Sequence, residues 1–109
     1  MTTASQTGST TGTQPYGIIH FFPLGTKVQY EAVMTAMNGK LGAIPKGQML
    51  HAAGPAAGGW QIVAVQESKE SWDRFMRDVF VRLVTKGIPG GFTSPPTETT
   101  FDVSHLYRP

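Results

Sequence analysis

The sequence predicts an α+β domain in which four strands form an antiparallel sheet and two helices pack on one of its faces, in the chain order β-α-β-β-α-β. Three observations predict it. Four short runs rich in β-branched and aromatic residues are separated by glycine and proline, and two segments with helical spacing of apolar residues fall after the first and third runs. The 109 residues leave room for one domain. Residues 1–15 read as a disordered arm and residues 16–109 as the folded domain.

The first strand is Gly17-Ile-Ile-His-Phe-Phe-Pro-Leu24, closed by Pro23 and Gly25. Thr26 opens Thr-Lys-Val-Gln, a capping box: the threonine oxygen serves the amide of Gln29, and the glutamine side chain reaches back. A helix follows, with Tyr30, Val33, Met34, Met37 and Leu41 in helical spacing, ended by Gly39, Gly42 and Pro45. Gly47 to Ala53 and Gly59 to Glu67 are two extended runs joined by Gly54-Pro-Ala-Ala-Gly58, which suits an antiparallel hairpin. Ser68 is the N-cap of the second helix, and Glu70 and Asp73 sit in its first turn, where the helix dipole favours anions. Trp72, Phe75, Met76, Val79, Phe80, Leu83 and Val84 form its apolar stripe, and Gly87 with Pro89 stops it. A Gly/Pro loop from Ile88 to Pro96 leads to the last strand, Thr97 to Tyr107.

Side-chain alternation places Val63 and Val65 of the third strand against the helices and leaves Trp60, Ile62, Ala64 and Gln66 on the open face. The open face is therefore apolar, the composition of a symmetric sheet-to-sheet interface or of a ligand cavity beneath one. A homodimer is expected, because a domain this small buries only about two thirds of its unfolded surface by itself.

Composition excludes several classes of function. The chain contains no cysteine, which removes disulfides, thiolate nucleophiles and cysteine-based metal sites. At 39% hydrophobic and a formal charge of +2 it is neither disordered nor strongly basic, and its arginines and lysines are not interleaved with stacking aromatics, so no nucleic-acid partner is expected. Met1 to Gln14 has no apolar core and no arginine, and matches neither a secretory signal nor a transit peptide. No apolar stretch approaches the roughly twenty residues of a membrane span, and the cytoplasm is the expected location. Neither Gly87-Ile-Pro-Gly-Gly91 nor Gly54 to Gly59 has the order of a phosphate-binding loop.

Chemistry rests on the three histidines, His20, His51 and His105, each placed on an expected strand. Imidazole exchanges protons near neutral pH, which suits isomerisation, cyclisation or deprotonation of a phenolic substrate. The alternative is a hydrogen-bonded structural role. His51 is the first choice as catalyst, because it precedes a Gly/Pro turn beside the strand of Trp60. His20 and His105 are expected to be neighbours on paired first and last strands. Zinc is not expected: the histidines show no H-x-H or H-x-x-x-H spacing and no patterned carboxylate. Glu98 and Asp102 read as solvent-facing first, with a supporting place beside a histidine as the alternative. Trp60, Phe22, Phe80, Phe101 and Gln66 are candidate walls of an apolar pocket, with core filling as the alternative. Met34, Met37 and Met76 read as helix core.

Together with this element order, His51-Ala-Ala-Gly-Pro55, Gly59-Trp60 opening a strand, and Gln66-Glu67-Ser68 leading into a Phe-containing helix resemble the dimeric α/β-barrel superfamily, of ferredoxin-like fold. More narrowly they resemble its small actinobacterial proteins labelled antibiotic-biosynthesis-monooxygenase-like. The resemblance spans roughly residues 16 to 107. It implies a barrel built by two paired sheets, with a pocket between sheet and helices in each subunit. It also implies cofactor-free chemistry of monooxygenase, isomerase or cyclase type on a small aromatic or polyketide-like molecule. Haem-degrading relatives ligate iron through a histidine on the second helix, and residues 69–86 contain none, so haem and other cofactors are not expected. A non-catalytic ligand-binding dimer and an interaction module are the competing readings.

Overall fold

The computed structural model describes residues 14–38, 46–80 and 87–107. Strands β1 (Tyr16–Pro23), β2 (Gln48–Ala56), β3 (Gly59–Gln66) and β4 (Thr97–Asp102) alternate with helices α1 (Lys27–Asn38) and α2 (Lys69–Phe75) in the order β-α-β-β-α-β. The sheet order is β2-β3-β1-β4, and every neighbouring pair is antiparallel. This is the ferredoxin-like α+β arrangement. No described helix is long and apolar enough to cross a membrane.

Local signals account for the element ends. The capping box forms in both directions: the amide of Thr26 donates to Gln29 Oε1 at 3.0 Å, and the amide of Gln29 donates to Thr26 Oγ1 at 3.2 Å. Ser68 caps α2, its hydroxyl accepting from the amide of Ser71. The β2–β3 hairpin is tighter than its glycines and prolines suggest. β2 runs on through Gly54 and Pro55 to Ala56, which pairs with Gly59, so only Ala57 and Gly58 turn the chain. Gly58 takes a positive φ of 84°, the conformation this short connection requires. Proline is tolerated there because β2 is an edge strand.

α2 departs from its expected regular stripe. After Phe75 the chain widens into a π-helical turn over Met76–Phe80. The expected continuation through Leu83 and Val84, and the end of α1 at Gly39 to Pro45, lie outside the described residues, as does the expected arm up to Thr13. Gln14 and Pro15 belong to the fold: Gln14 Nε2 donates to the carbonyl of Val103, and the amide of Val103 donates to the carbonyl of Pro15 at 3.0 Å. The last strand is shorter than expected, since it ends at Asp102 rather than Tyr107.

The two faces of β3 are the reverse of the expectation. Register sets Trp60, Ile62, Ala64 and Gln66 beside Phe22, His20, Ile18 and Tyr16 of β1, and Ile18, Ile62 and Ala64 share one cavity with Met34 of α1 and Trp72 of α2. These residues therefore lie under the helices, and Val63 and Val65 face away. The reason is that both alternating sets are apolar, so alternation carries no contrast to choose between them. The core between sheet and helices holds Ile18, Phe22, Val33, Met34, Trp60, Ala64 and Trp72, all buried. Each fully buried large apolar side chain there contributes about 1.5–3 kcal/mol by leaving water.

The outer face carries Gly17, Ile19 and Phe21 of β1, Gln61, Val63 and Val65 of β3, Leu50, Ala52 and Gly54 of β2, and Thr97, Thr99 and Phe101 of β4. None of them is charged. Phe101 lies across Gly17 so closely that a Cβ there would overlap its ring.

Candidate functional site

A cavity of about 50 Å³ lies between the sheet and the helices, and its walls are almost wholly apolar: Ile18, Phe22, Met34, Ile62, Trp72 and Phe75 are among them. Two of the three histidines, His20 and His51, enter it, together with Gln48. β1 supplies His20 because its even-numbered residues point to the helices, and β2 supplies His51 because that residue pairs with Ala64 on the same face.

The partners of His51 define its protonation. The carbonyl of Lys46 can only accept, so Gln66 Nε2, 3.1 Å away, is a donor, and it also reaches Ser71 Oγ at 2.9 Å. Gln66 Oε1 then accepts from Gln48 Nε2 at 3.2 Å, which turns Gln48 Oε1 towards His51 Nδ1 at 2.6 Å. His51 Nδ1 therefore carries the proton, and in the neutral ring Nε2 accepts from the Tyr30 hydroxyl at 2.6 Å. Burial pushes His51 below the ordinary imidazole value and so keeps it neutral. Burial also raises the Tyr30 phenol, and the charge of Glu31 adds to the rise. Both ring nitrogens of His51 are engaged, and neither a tyrosinate nor an imidazolium is favoured in the pair.

His20 differs. Its Nε2 lies 2.7 Å from Glu98 Oε2, across the β1–β4 ladder where the two residues are register partners. The carboxylate accepts, so Nε2 carries the proton and the neutral ring has its lone pair on Nδ1. Among the described residues no hydrogen-bond partner faces Nδ1. His20 is 9% exposed, and its ring is held edge-on to Phe22 and tilted against Trp72, with centroids 6.1 and 5.8 Å away. A buried imidazole oriented by a carboxylate through one nitrogen is the geometry of a general base working through the other.

The remaining candidates scatter. His105 lies beyond the end of β4, exposed, with its ring stacked on Tyr107, and is not beside His20, whose partner on β4 is Glu98. Phe101 sits on the opposite face of the sheet. The Phe80 side chain lies outside the described residues. Gln66 is fully buried and acts as a hydrogen-bond hub beneath the cavity. Trp60 is buried against Tyr30, ring centroids 5.2 Å apart, and its indole N–H has no partner among the described residues. Among the described residues, Phe22 alone of the expected walls lines the cavity.

Tyr30 and Gln48 take positions that sequence reasoning did not assign, and Glu98 takes its second reading, beside a histidine, which sequence reasoning could not attach to His20 in particular. Glu98 and His20 are 78 residues apart, and only strand register joins them. No group of three or more metal-ligating side chains gathers among the described residues. Comparison of the chain with protein-family models, with curated proteins and with solved structures gives no match.

Proposed function

We propose that the protein is a cofactor-independent enzyme of monooxygenase, isomerase or cyclase type, acting on a small aromatic or polyketide-like molecule with His20 as general base. The observation that carries the reading is that His20 lines an apolar cavity while Glu98 holds its Nε2 at 2.7 Å. Each of the three reaction types begins with loss of a proton from a phenolic O–H or an activated C–H, and His20 Nδ1 receives it. Glu98 keeps the ring in the competent tautomer and offsets the imidazolium that forms. His51, with both nitrogens bonded, fixes the cavity wall and presents no free lone pair.

The uncharged outer face of the sheet supports the finer reading as a dimeric α/β-barrel protein, with the second copy covering that face. The test is turnover of a panel of phenols, anthrones and lactones, with and without oxygen, after a thermal-shift screen for binding. His20→Gln is expected to lower kcat by about 10²- to 10⁴-fold, the usual share of a general base, and Glu98→Gln by about tenfold or more. Binding without turnover by the unmodified protein would point instead to a ligand-binding dimer, and full activity in His20→Gln would remove His20 from the chemistry.

A further inference from the structure

At about 50 Å³ the inner cavity is too small for an aromatic ring, since a cavity that admits benzene is about 150 Å³. A larger pocket, about 430 Å³, lies beside it along the loop 87–96, lined by Ile88, Thr93, Ser94, Pro95 and Pro96. The two spaces share three walls: Phe22, Val33 and Phe92. Phe92 is the loop's contribution. Its ring stacks on Phe22 at a centroid distance of 3.8 Å and an interplanar angle of 12°, and it lies close enough to Gly25 that a Cβ there would approach it at 3.0 Å.

Parallel stacking at that distance is how a flat aromatic ligand would sit on Phe22. Phe22 stands two residues from His20 on the same face of β1, and its ring touches the imidazole edge-on. Phe92 itself is carried by a segment with positive φ at Gly87 and Gly90, followed by Gly91. A β-strand could not release such a ring without breaking its ladder, whereas a loop can.

We propose that Phe92 is a plug whose ring occupies the seat of a flat aromatic ligand on Phe22, and that the ligand enters through the outer pocket and displaces it to reach His20. This rests on the reading of the cavity as a substrate site and adds its entrance and the shape of its ligand. A fused two-ring compound with one polar substituent fits: the rings take the Phe22 seat, and the hydroxyls of Thr93 and Ser94 meet the outer end. Displacement of the plug lowers the apparent affinity by the fraction of molecules in which the seat is free.

The test uses the full chain and 2-naphthol, followed by calorimetric titration, with acrylamide quenching of Trp72 fluorescence in a Trp60→Phe background as a readout that needs no ligand. Phe92→Ala is expected to raise the quenching of Trp72 and to bind 2-naphthol about tenfold more tightly than the parent, the change for a seat that is free about one tenth of the time. Phe22→Ala is expected to lose the binding. Unchanged quenching and affinity in a folded Phe92→Ala variant, or no 2-naphthol binding by any variant, would overturn the proposal. The plug and the chemistry fail separately: His20→Gln that keeps full turnover sinks the general base while leaving the Phe92 results standing.

Discussion

Two histidines enter one apolar cavity, and their neighbours separate them chemically. His51 is half-buried between an amide oxygen and a phenol, so its imidazole pKa is pushed down and the ring stays neutral. Linkage turns this into a stability statement. The unfolded chain binds a proton at His51 near pH 6.5, the folded chain only at lower pH, so the unfolded state holds more protons in between. The contribution is therefore fully present above pH 6.5 and is lost as pH falls through and below it. Thermal melts between pH 8 and pH 5 are expected to show this fall, and His51→Gln, which has no proton to gain, is expected to flatten it. An equal slope in that variant would place the acid sensitivity elsewhere. Sequence reasoning placed His51 and His20 on strands, and the structure places them there; it could not see that one has both nitrogens occupied, because Tyr30, Gln48 and Gln66 arrive from three different elements.

Elements with a local cause were legible, and those decided by the tertiary environment were not. The capping box at Thr26 and the N-cap at Ser68 are short-range signals, and both form as read. Alternation reverses the faces of β3 because Trp60, Ile62 and Ala64 alternate with Val63 and Val65, and each set carries one glutamine, Gln66 inside and Gln61 outside, so polarity does not mark either face. The π-helical turn after Phe75 has no local signature, since its side chains keep ordinary helical spacing. The β1–α1 connection hides a further feature. Leu24 takes a positive φ of 61° between Pro23 and Gly25, with its amide donating to the carbonyl of Gly58, and its side chain is 78% exposed. A branched residue in that conformation costs about 1–2 kcal/mol relative to glycine, and little packing offsets it. Leu24→Gly is expected to be stabilising by about 0.5–1 kcal/mol, the strain relieved less the extra freedom of the unfolded glycine. Urea denaturation checks it: a midpoint at or below that of the parent would mean that the leucine makes contacts its exposure conceals.

For the whole molecule the question is what covers the outer face of the sheet. Twelve register positions on that face hold no charge, and Leu50 and Phe101 remain 40% and 45% exposed. A face meeting water would place lysine, glutamate or arginine on at least one strand, and large exposed apolar patches mark interaction surfaces. On the inner face, helices α1 and α2 already cover the central strands, where Ile18, Phe22, Trp60 and Ala64 are buried, which leaves the outer face of those strands open to a partner. A second copy satisfies the pattern with symmetry, since each sheet presents the same apolar surface to the other. Phe21→Lys and Val63→Glu, on the two central strands, each put an unpaired charge at the middle of that contact, where its desolvation costs several kcal/mol. Light scattering after size exclusion is expected to give a dimer for the parent and a monomer for either variant, while a Glu70→Gln control on the exposed start of α2 remains dimeric. A parent that runs as a monomer at every concentration would leave the outer face to a different partner. Dimers that survive both charges would place the contact on another surface.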